Sequence, residues 1–287
     1  MNRLPDGRGD PSPVNRLPDP ETFLSGEHGE VGGKRGALRR TADRALDAWL
    51  RASGTLRRID ALAACTPSRD VLVLGIYGPP GDLIAAQRER LRSERHAVRV
   101  ELGSRADLRG GKFENLNALI QTASGGPADW TLVVDDDVEL PPRFLDRFVA
   151  VCERFELTLA QPAQTLASHA AWRIARRRPG SLVRQTRFVE IGPVTAFRRE
   201  AAAELLPFPP LRYGWGLDLA WGATARERDW RAGIVDALPV RHERAPVAAS
   251  YPAGEAIEEA RRFLAERTYL TSEEAQETLA THRRLPR

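Results

Sequence analysis

Two apolar runs, VLVLGIY at 71–77 and WTLVV at Trp130–Val134, each end abruptly in turn-forming or charged residues. Short apolar runs bounded in this way are typical of strands that are buried on both faces. Between the two runs, 82–95 and 113–122 show helical spacing, and 97–102 alternates like a second strand. Strands that alternate with helices form parallel sheets. The sequence therefore predicts an α/β fold with a Rossmann-like, mostly parallel sheet flanked by helices.

The second half of the chain continues this pattern less regularly. Its apolar segments predict strands at 188–191, 194–197 and 234–237, and helices at 198–206, 217–228, 253–267 and 273–283. Thr271 and Glu274 have the spacing of a capping box at the start of the last helix. A ligand of such a sheet is expected at the carboxyl ends of the strands, which singles out the loop after Tyr77 and the acidic residues after Val134.

Composition divides the chain into four parts. Residues 1–36 are rich in proline, glycine and aspartate, and they predict a disordered tail. Residues 37–66 predict a helical appendage, 70–250 the main domain and 251–287 a set of C-terminal helices. Arginines separate the apolar positions of the appendage, so its alternative interpretation is a basic amphipathic helix that lies on a membrane surface.

The composition also excludes several classes of protein. Hydrophobic residues make up 42% of the 287 residues and charged residues 29%, which is ordinary for a globular protein. No apolar run approaches the ~20 residues of a membrane helix, and the N-terminus lacks a signal-peptide core, which predicts a cytoplasmic protein. Cys65 and Cys152 form neither a disulfide framework nor a zinc-binding spacing. The net charge of +4 suits phosphate-bearing substrates or the anionic inner face of a membrane, but it is small for nucleic acid.

Three adjacent acids, Asp135, Asp136 and Asp137, follow the strand at Trp130–Val134 directly. Adjacent carboxylates repel one another, so a fold tolerates them where water or a cation compensates their charge. Oxygen ligands of this kind suit Mg²⁺ or Mn²⁺, which keep coordination positions open for substrate phosphates. The alternative is a solvated acidic turn.

A second motif, Gly110-Gly111-Lys112, precedes a helical pattern that contains Asn115. Paired glycines allow a ligand to approach the backbone closely, and a lysine at a helix N-terminus adds charge where anions are already favoured. The motif has neither the spacing nor the hydroxyl of a phosphate-binding GxxxxGK[ST] loop. The alternative is a plain Gly-Gly turn before a helix.

Two further candidates lie towards the C-terminus. The segment YGWGLD, which includes Trp215, Gly216 and Asp218, predicts a flexible, flat-walled loop that stacks on a sugar, with Asp218 as a general base. The alternative role of Asp218 is to cap the helix that follows it. His242 follows a predicted strand, and it is either a structural histidine or a metal ligand.

In this order and spacing, VLVLGIYG, GGKFENLNALI and WTLVVDDDVELPP resemble the nucleotide-sugar half of family 2 glycosyltransferases of the GT-A fold. The segment YGWGLD and the later His242 are similar to the aromatic-glycine-acid segment and late histidine of the β-1,4-galactosyltransferase-like group. The resemblance covers about residues 70–245. It implies a metal-dependent enzyme that moves a sugar from a nucleotide diphosphate sugar to a hydroxyl of a sugar, lipid-linked or small-molecule acceptor, with inversion.

Carried over residue by residue, the resemblance assigns a role to each matching position. Asp218 would be the catalytic base, and Asp137, His242 and Asp135 would bind Mn²⁺ or Mg²⁺. The residues near the donor would be Tyr77, Gly78, Lys112, Asn115, Asp135, Asp136, Trp215 and Gly216. Two departures stand out. Glu101-Leu102-Gly103-Ser104 replaces a usual aspartate after the second strand, and Leu217-Asp218 replaces an acid pair, which leaves one candidate base.

Other interpretations stay open at this point. Six arginines lie between Trp172 and Glu190, and they form either a solvated basic face or a loop that contacts diphosphate or a lipid phosphate: Arg173, Arg176, Arg177, Arg178, Arg184 and Arg187. Glu190 itself is a candidate for contact with substrate hydroxyls. The alternatives to a glycosyltransferase are a nucleotidyltransferase and a non-catalytic protein that binds a nucleotide sugar or nucleic acid.

Overall fold

The computed structural model describes residues 17–26, 31–78, 88–104, 110–242 and 252–286, which contain an eight-stranded sheet. Its strands are β1 (Asp70–Tyr77), β2 (Ala97–Ser104), β3 (Trp130–Val134), β4 (Leu159–Gln164), β5 (Val183–Thr186), β6 (Val194–Arg198), β7 (Ala232–Val240) and β8 (Thr278–His282). Their order across the sheet is β2-β1-β3-β6-β4-β7-β5-β8.

The α-helices of the described residues flank this sheet. They are α1 (Gly33–Ala52), α2 (Thr55–Cys65), α3 (Lys112–Thr122), α4 (Phe144–Arg154), α5 (Arg199–Leu205), α6 (Leu217–Glu227), α7 (Ala253–Ala265) and α8 (Ser272–Ala275). Short 3₁₀ turns lie at Pro20–Thr22 and Arg173–Ala175.

The predicted α/β class is confirmed, and the sheet is mixed. β1 pairs in parallel with β2 and β3, and β4 pairs in parallel with β7. The other four pairings, β3 with β6, β4 with β6, β5 with β7 and β5 with β8, are antiparallel. The sequence pattern predicts β1, β2 and β3, whose mutual pairings are parallel. It misses β4, which pairs in parallel with β7, and β5, because polar residues interrupt their apolar runs.

The inner strands of the sheet are buried on both faces, which explains their apolar residues, whereas the edge strands β2 and β8 are partly exposed. Alternate residues of β1 point to opposite faces. Val71 and Val73 join a core with Phe144 and Phe148 of α4, while Leu74 joins a second core with other helices, α3, α6 and α7 among them. With both faces covered, charged side chains are left to the ends of the strands.

Two predicted elements near the C-terminal half are wrong. Residues 188–191 are not a strand, because the Glu190 N–H donates to the side chain of Gln161 instead of to a neighbouring strand. The helix predicted at 273–283 is limited to α8, with the predicted Thr271–Glu274 capping box at its start. β8 follows, because it pairs with the edge strand β5, and this tertiary pairing outweighs local propensity.

The tail predicted over 1–36 lies outside the described residues at 1–16 and 27–30. Residues 17–26 are folded instead, because Phe23 is buried in the same core as Phe263. The Arg261 guanidinium also donates to the Pro18 carbonyl at 2.9 Å. The helix predicted at 82–95 lies outside the described residues at 82–87; residues 88–90 are helical, and residues 91–95 are not.

The helices predicted at 37–66 are α1 and α2, and they pack on the main domain. Ile59 of α2 lies in the core beside α4, and Asp60 accepts two hydrogen bonds of 2.8 Å from Arg147. Within the described residues, no helix is both long and apolar enough to cross a bilayer.

Candidate active site

The acidic turn after β3 lies against the loop that leads into β6. The Asp135 N–H donates to the Pro193 carbonyl at 2.8 Å, which continues the antiparallel pairing of the two strands. A Cβ on Gly192 would lie 2.8 Å from Asp135 Oδ2, so a larger residue would push this carboxylate from its present position. The turn is thus fixed by its neighbours in the sheet.

The acidic turn and the Gly-Gly-Lys motif meet. Lys112, the first residue of α3, places its Nζ 2.6 Å from Asp135 Oδ1. Asp136 joins the loop after β1 to the same turn, because its Oδ2 accepts the Gly78 N–H at 2.8 Å. Tyr77 ends β1 beside them and is half-buried. Motifs separated by dozens of residues thereby converge at one edge of the sheet.

Asp137 faces His242, with 3.2 Å between Oδ2 and Nε2. A bridge between Glu139 and Arg241 sets this pairing: each backbone N–H donates to the carbonyl of the other, at 2.8 and 3.1 Å. Burial by itself raises the pKa of Asp137, but the hydrogen bond and charge of His242 outweigh it and lower the pKa. Burial likewise works to lower the pKa of His242, and Asp137 reverses this and raises it.

These side chains fit a divalent cation as a two-ligand site. His242 Nδ1 is buried and has no partner among the described residues, so its ring is held by Asp137 at Nε2 alone. Within the described part of the chain, no three His, Cys, Asp or Glu side chains form a metal cluster. Asp135, the predicted third ligand, is paired with Lys112. Mg²⁺-type sites commonly use one or two carboxylates together with substrate phosphates, so two protein ligands are chemically sufficient.

Asp218 is a buried acid in the first turn of α6. Gly216 is the N-cap residue of this helix, with a φ of 88°, so Asp218 does not cap it. The carboxylate accepts the Leu219 N–H at 3.0 Å. Burial raises the pKa of Asp218 to about 7, against the opposing effect of N–H donors from Leu219, Ile191 and the Trp172 side chain. A carboxyl group with this pKa is suited to take up a proton near neutral pH.

A second buried acid, Glu190, lies beside Asp218. Its Oε2 accepts the Gln164 amide at 2.6 Å, and its Oε1 accepts the Ala171 N–H at 3.1 Å. Burial, followed by the charge of Asp218, raises the pKa of Glu190 well above its ordinary value. Asp135 makes a smaller contribution in the same direction. Residues 191–193 connect the two groups, because the Ile191 N–H donates to Asp218 and the Pro193 carbonyl accepts the Asp135 N–H.

Sequence reasoning missed the two glutamines around Glu190. Gln161 and Gln164 of β4 are both 1% exposed, and each keeps one amide atom without a partner among the described residues. The signal for them is the run LAQPAQ itself. Two amides inside an otherwise small and apolar segment indicate a buried polar cluster, because a buried amide requires partners.

The paired glycines, Gly110 and Gly111, pack against other residues of the chain and do not face an open space. A Cβ on Gly111 would overlap the Arg212 backbone. Asn115 makes two hydrogen bonds to Gly110, of 3.1 and 2.9 Å, so its amide shapes the Gly-Gly turn. The sequence predicts that a ligand approaches the backbone at this turn. In the structure, residues 212–216, called here the aromatic-glycine segment, occupy that position.

This aromatic-glycine segment was expected to be flexible, and the structure holds it firmly. The Glu259 carboxylate accepts the backbone N–H groups of Arg212, Tyr213 and Gly214, at 2.6, 2.9 and 3.0 Å. Gly214 has a φ of 77°, and the ring of Phe113 fills the space where a Cβ would stand. Trp215 is half-buried against the core.

The arginine stretch is largely structural, which corrects its interpretation as a phosphate-binding or solvated face. Arg184 is buried and pairs with Asp236 at 2.8 Å, while Arg177 is buried against Asp47 at 2.7 Å. Arg187 pairs with Glu277. Buried guanidinium groups need charged partners, and carboxylates of the same chain provide them here.

A cavity of about 320 Å³ lies on another side of α6. Leu217, Trp221 and Phe263 are among the side chains that line it. None of the predicted site residues lines this cavity, so it is separate from the acidic turn.

No protein-family model matches the chain, and no curated protein matches it. Several solved structures are similar to it. They include a mannosyltransferase from Pyrobaculum calidifontis with GDP-Man and Mn²⁺ (16% identity, TM-score 0.40, 66% of this chain and 65% of that one), S. aureus TarS with UDP-GlcNAc (12%, 0.42, 69% and 65%) and GalNAc-T7 with UDP, GalNAc and Mn²⁺ (12%, 0.42, 61% and 43%). The chain spans less than two thirds of the length of each of these proteins.

Replacing Gly214 with alanine is expected to destabilise the protein by about 2–5 kcal/mol, since about 1–2 kcal/mol of left-handed strain adds to overpacking of about 1–3 kcal/mol against Phe113. Gly126→Ala is the matched control: its φ is 74°, but no atom lies within 4 Å of the added Cβ. Chemical denaturation measures both variants. Equal losses would show that Phe113 does not hold the segment.

Proposed function

We propose that the protein is a glycosyltransferase that uses a divalent cation, Mn²⁺ or Mg²⁺, to move a sugar from a nucleotide diphosphate sugar to an acceptor hydroxyl. The observation that carries this proposal is the placement of two groups on either side of residues 191–193: the acidic turn with Lys112 and His242, and the buried acid Asp218, which has a raised pKa and accepts the Ile191 N–H. Cation ligands, an anion-binding lysine and a general base are the groups that this reaction requires.

The chain's own residues then divide the work. Asp137 and His242 hold the cation, which when bound supplies Lewis-acid stabilisation of the diphosphate leaving group. Lys112 moves its charge from Asp135 towards the phosphates, where the N-terminus of α3 already favours an anion. Tyr77, Gly78 and Asp136 border the nucleotide, with Asn115 supporting the turn that precedes Lys112.

On the acceptor side, Asp218 takes the proton of the attacking hydroxyl. Trp215 and Gly216 form the wall that orients the sugar. With Asp218 as a base and not as a nucleophile, the hydroxyl attacks the anomeric carbon from the face opposite the diphosphate, and the product is inverted. The raised pKa of Glu190 favours its neutral form, and a neutral neighbour makes ionisation of Asp218 easier, since two adjacent carboxylates do not both carry charge easily.

A thermal-shift panel of UDP-, GDP- and dTDP-sugars, with and without Mn²⁺, tests the donor and the cation. A donor at 100 times its Kd is expected to add about 2.7 kcal/mol of stability. This gain should require Mn²⁺ and disappear in His242→Gln, but persist in the control His282→Gln, which changes a histidine on β8. Stabilisation that is independent of Mn²⁺ and of His242 would overturn the cation assignment.

Asp218→Asn is expected to lower the transfer rate by about 10²–10⁴-fold while Mn²⁺-dependent donor binding persists. Wild-type activity should rise with pH through about 7, because only the ionised carboxylate accepts a proton. The raised pKa means that the folded state binds more protons than the unfolded state from about pH 4 to 7, so stability falls as pH rises across this window. Asp218→Asn should therefore melt above wild type at pH 8, and substantial residual transfer would contradict the role of base.

The basic residues of α1 provide the peripheral membrane contact. Leu38 and Trp49 are 71% and 49% exposed, and helical spacing places them with Ala45 on the face opposite the buried Asp43. Lys34 and five arginines also belong to α1, and each basic residue near an anionic bilayer contributes about 1 kcal/mol. The partner is therefore an anionic lipid surface.

Co-sedimentation with vesicles that contain phosphatidylglycerol is expected for the wild type and not for vesicles of phosphatidylcholine alone. Leu38→Glu should weaken the binding, whereas Leu279→Glu on β8, which is also exposed, should not. Binding that is equal for all three proteins would rule out α1 as the contact.

A further inference from the structure

Helix α1 reaches the candidate active site through two acids. Asp43 is fully buried, and its oxygens accept the N–H groups of Leu166 and Ala167, both at 3.0 Å. Asp47, one turn further along, accepts Arg177 at 2.7 Å and Arg241 at 2.9 Å. A buried carboxylate needs such partners, since its desolvation is otherwise unfavourable.

The backbone that Asp43 holds is the backbone that holds His242. In the same loop, Ser168 Oγ accepts the His242 N–H at 3.0 Å, and the His169 N–H donates to the His242 carbonyl at 2.8 Å. Arg176 reinforces this loop through the carbonyl oxygens of Leu166 and Ser168, at 3.1 and 2.7 Å. Both the backbone N–H and the backbone carbonyl of His242 are therefore hydrogen-bonded to a turn that α1 anchors.

Asp47 acts on the same residue from another direction. Its partner Arg241 directly precedes His242 and forms the backbone bridge with Glu139 that brings Asp137 opposite the imidazole. The ion pair between Asp47 and Arg241 thus restrains the backbone that follows β7 and carries the His242 imidazole.

We propose that Asp43 and Asp47 are positioning residues for His242, so that α1 is a supporting part of the cation site and not an appendage. This inference rests on the proposed function for the cation, and on the hydrogen bonds of Asp43, Asp47, Ser168 and Arg241 for the positioning. Residues that orient a metal ligand typically change metal affinity by about 10–100-fold when they are replaced.

The test compares Asp47→Asn with Asp60→Asn in the full chain. Asp60 is the matched control, because it also ties an N-terminal helix to the main domain through arginines, Arg143 and Arg147, but has no contact with the His242 loop among the described residues. Mn²⁺ alone is the probe, and paramagnetic resonance measures its binding. Asp47→Asn should weaken Mn²⁺ binding by about 10-fold, and Asp60→Asn should leave it unchanged.

A second readout works without metal. The imidazole ¹³C–¹H signal of His242, assigned with His242→Gln, should shift or split in Asp47→Asn and stay in place in Asp60→Asn. Asp43→Asn should change Mn²⁺ binding and the His242 signal in the same direction. If Asp43→Asn does not fold, Arg241→Gln, which removes the partner of Asp47, is measured in its place and should have the same effect. Unchanged Mn²⁺ affinity and an unchanged His242 signal in Asp47→Asn would overturn the positioning role. Failure of the wild type to bind Mn²⁺ both alone and with a nucleoside diphosphate present would instead overturn the cation proposal, and the imidazole signal would still decide the positioning.

Discussion

Burial of the inner strands on both of their faces is the constraint from which the rest of the molecule follows. Apolar side chains occupy nearly every position of β1 and β3, so the ionisable groups of these two strands lie at their ends, and those inside other buried strands form pairs such as Arg184–Asp236. The acidic turn is the sharpest case, because three carboxylates emerge together where β3 leaves the core. Their charge is balanced locally by Lys112, by His242 and by the Gly78 N–H.

The sequence predicts this half of the molecule well, for reasons that lie in local pattern. β1, β3 and α3 have apolar periodicities that tertiary contacts do not override, and the glycine, lysine and aspartate motifs mark their ends. The pairing of Asp137 with His242 is also anticipated, although only as a resemblance. The sequence pattern does not predict the backbone bridge between Glu139 and Arg241, which brings Asp137 and His242 together.

The remainder depends on contacts between distant segments. β8 reads as a helix locally and becomes a strand because β5 offers it an edge. The six arginines between Trp172 and Glu190 read as a charged surface, since sequence alone does not reveal that Asp236 and Asp47 lie within reach of two of them. Gln161 and Gln164 gain meaning only when Glu190 is placed between them.

Lys112 and Phe113 are consecutive residues, yet they contact different segments of the chain. The lysine contacts the acidic turn, while the phenylalanine ring occupies the space beside Gly214 in the aromatic-glycine segment. The first turn of α3 therefore links these two segments mechanically, so a displacement of that turn would be transmitted to both.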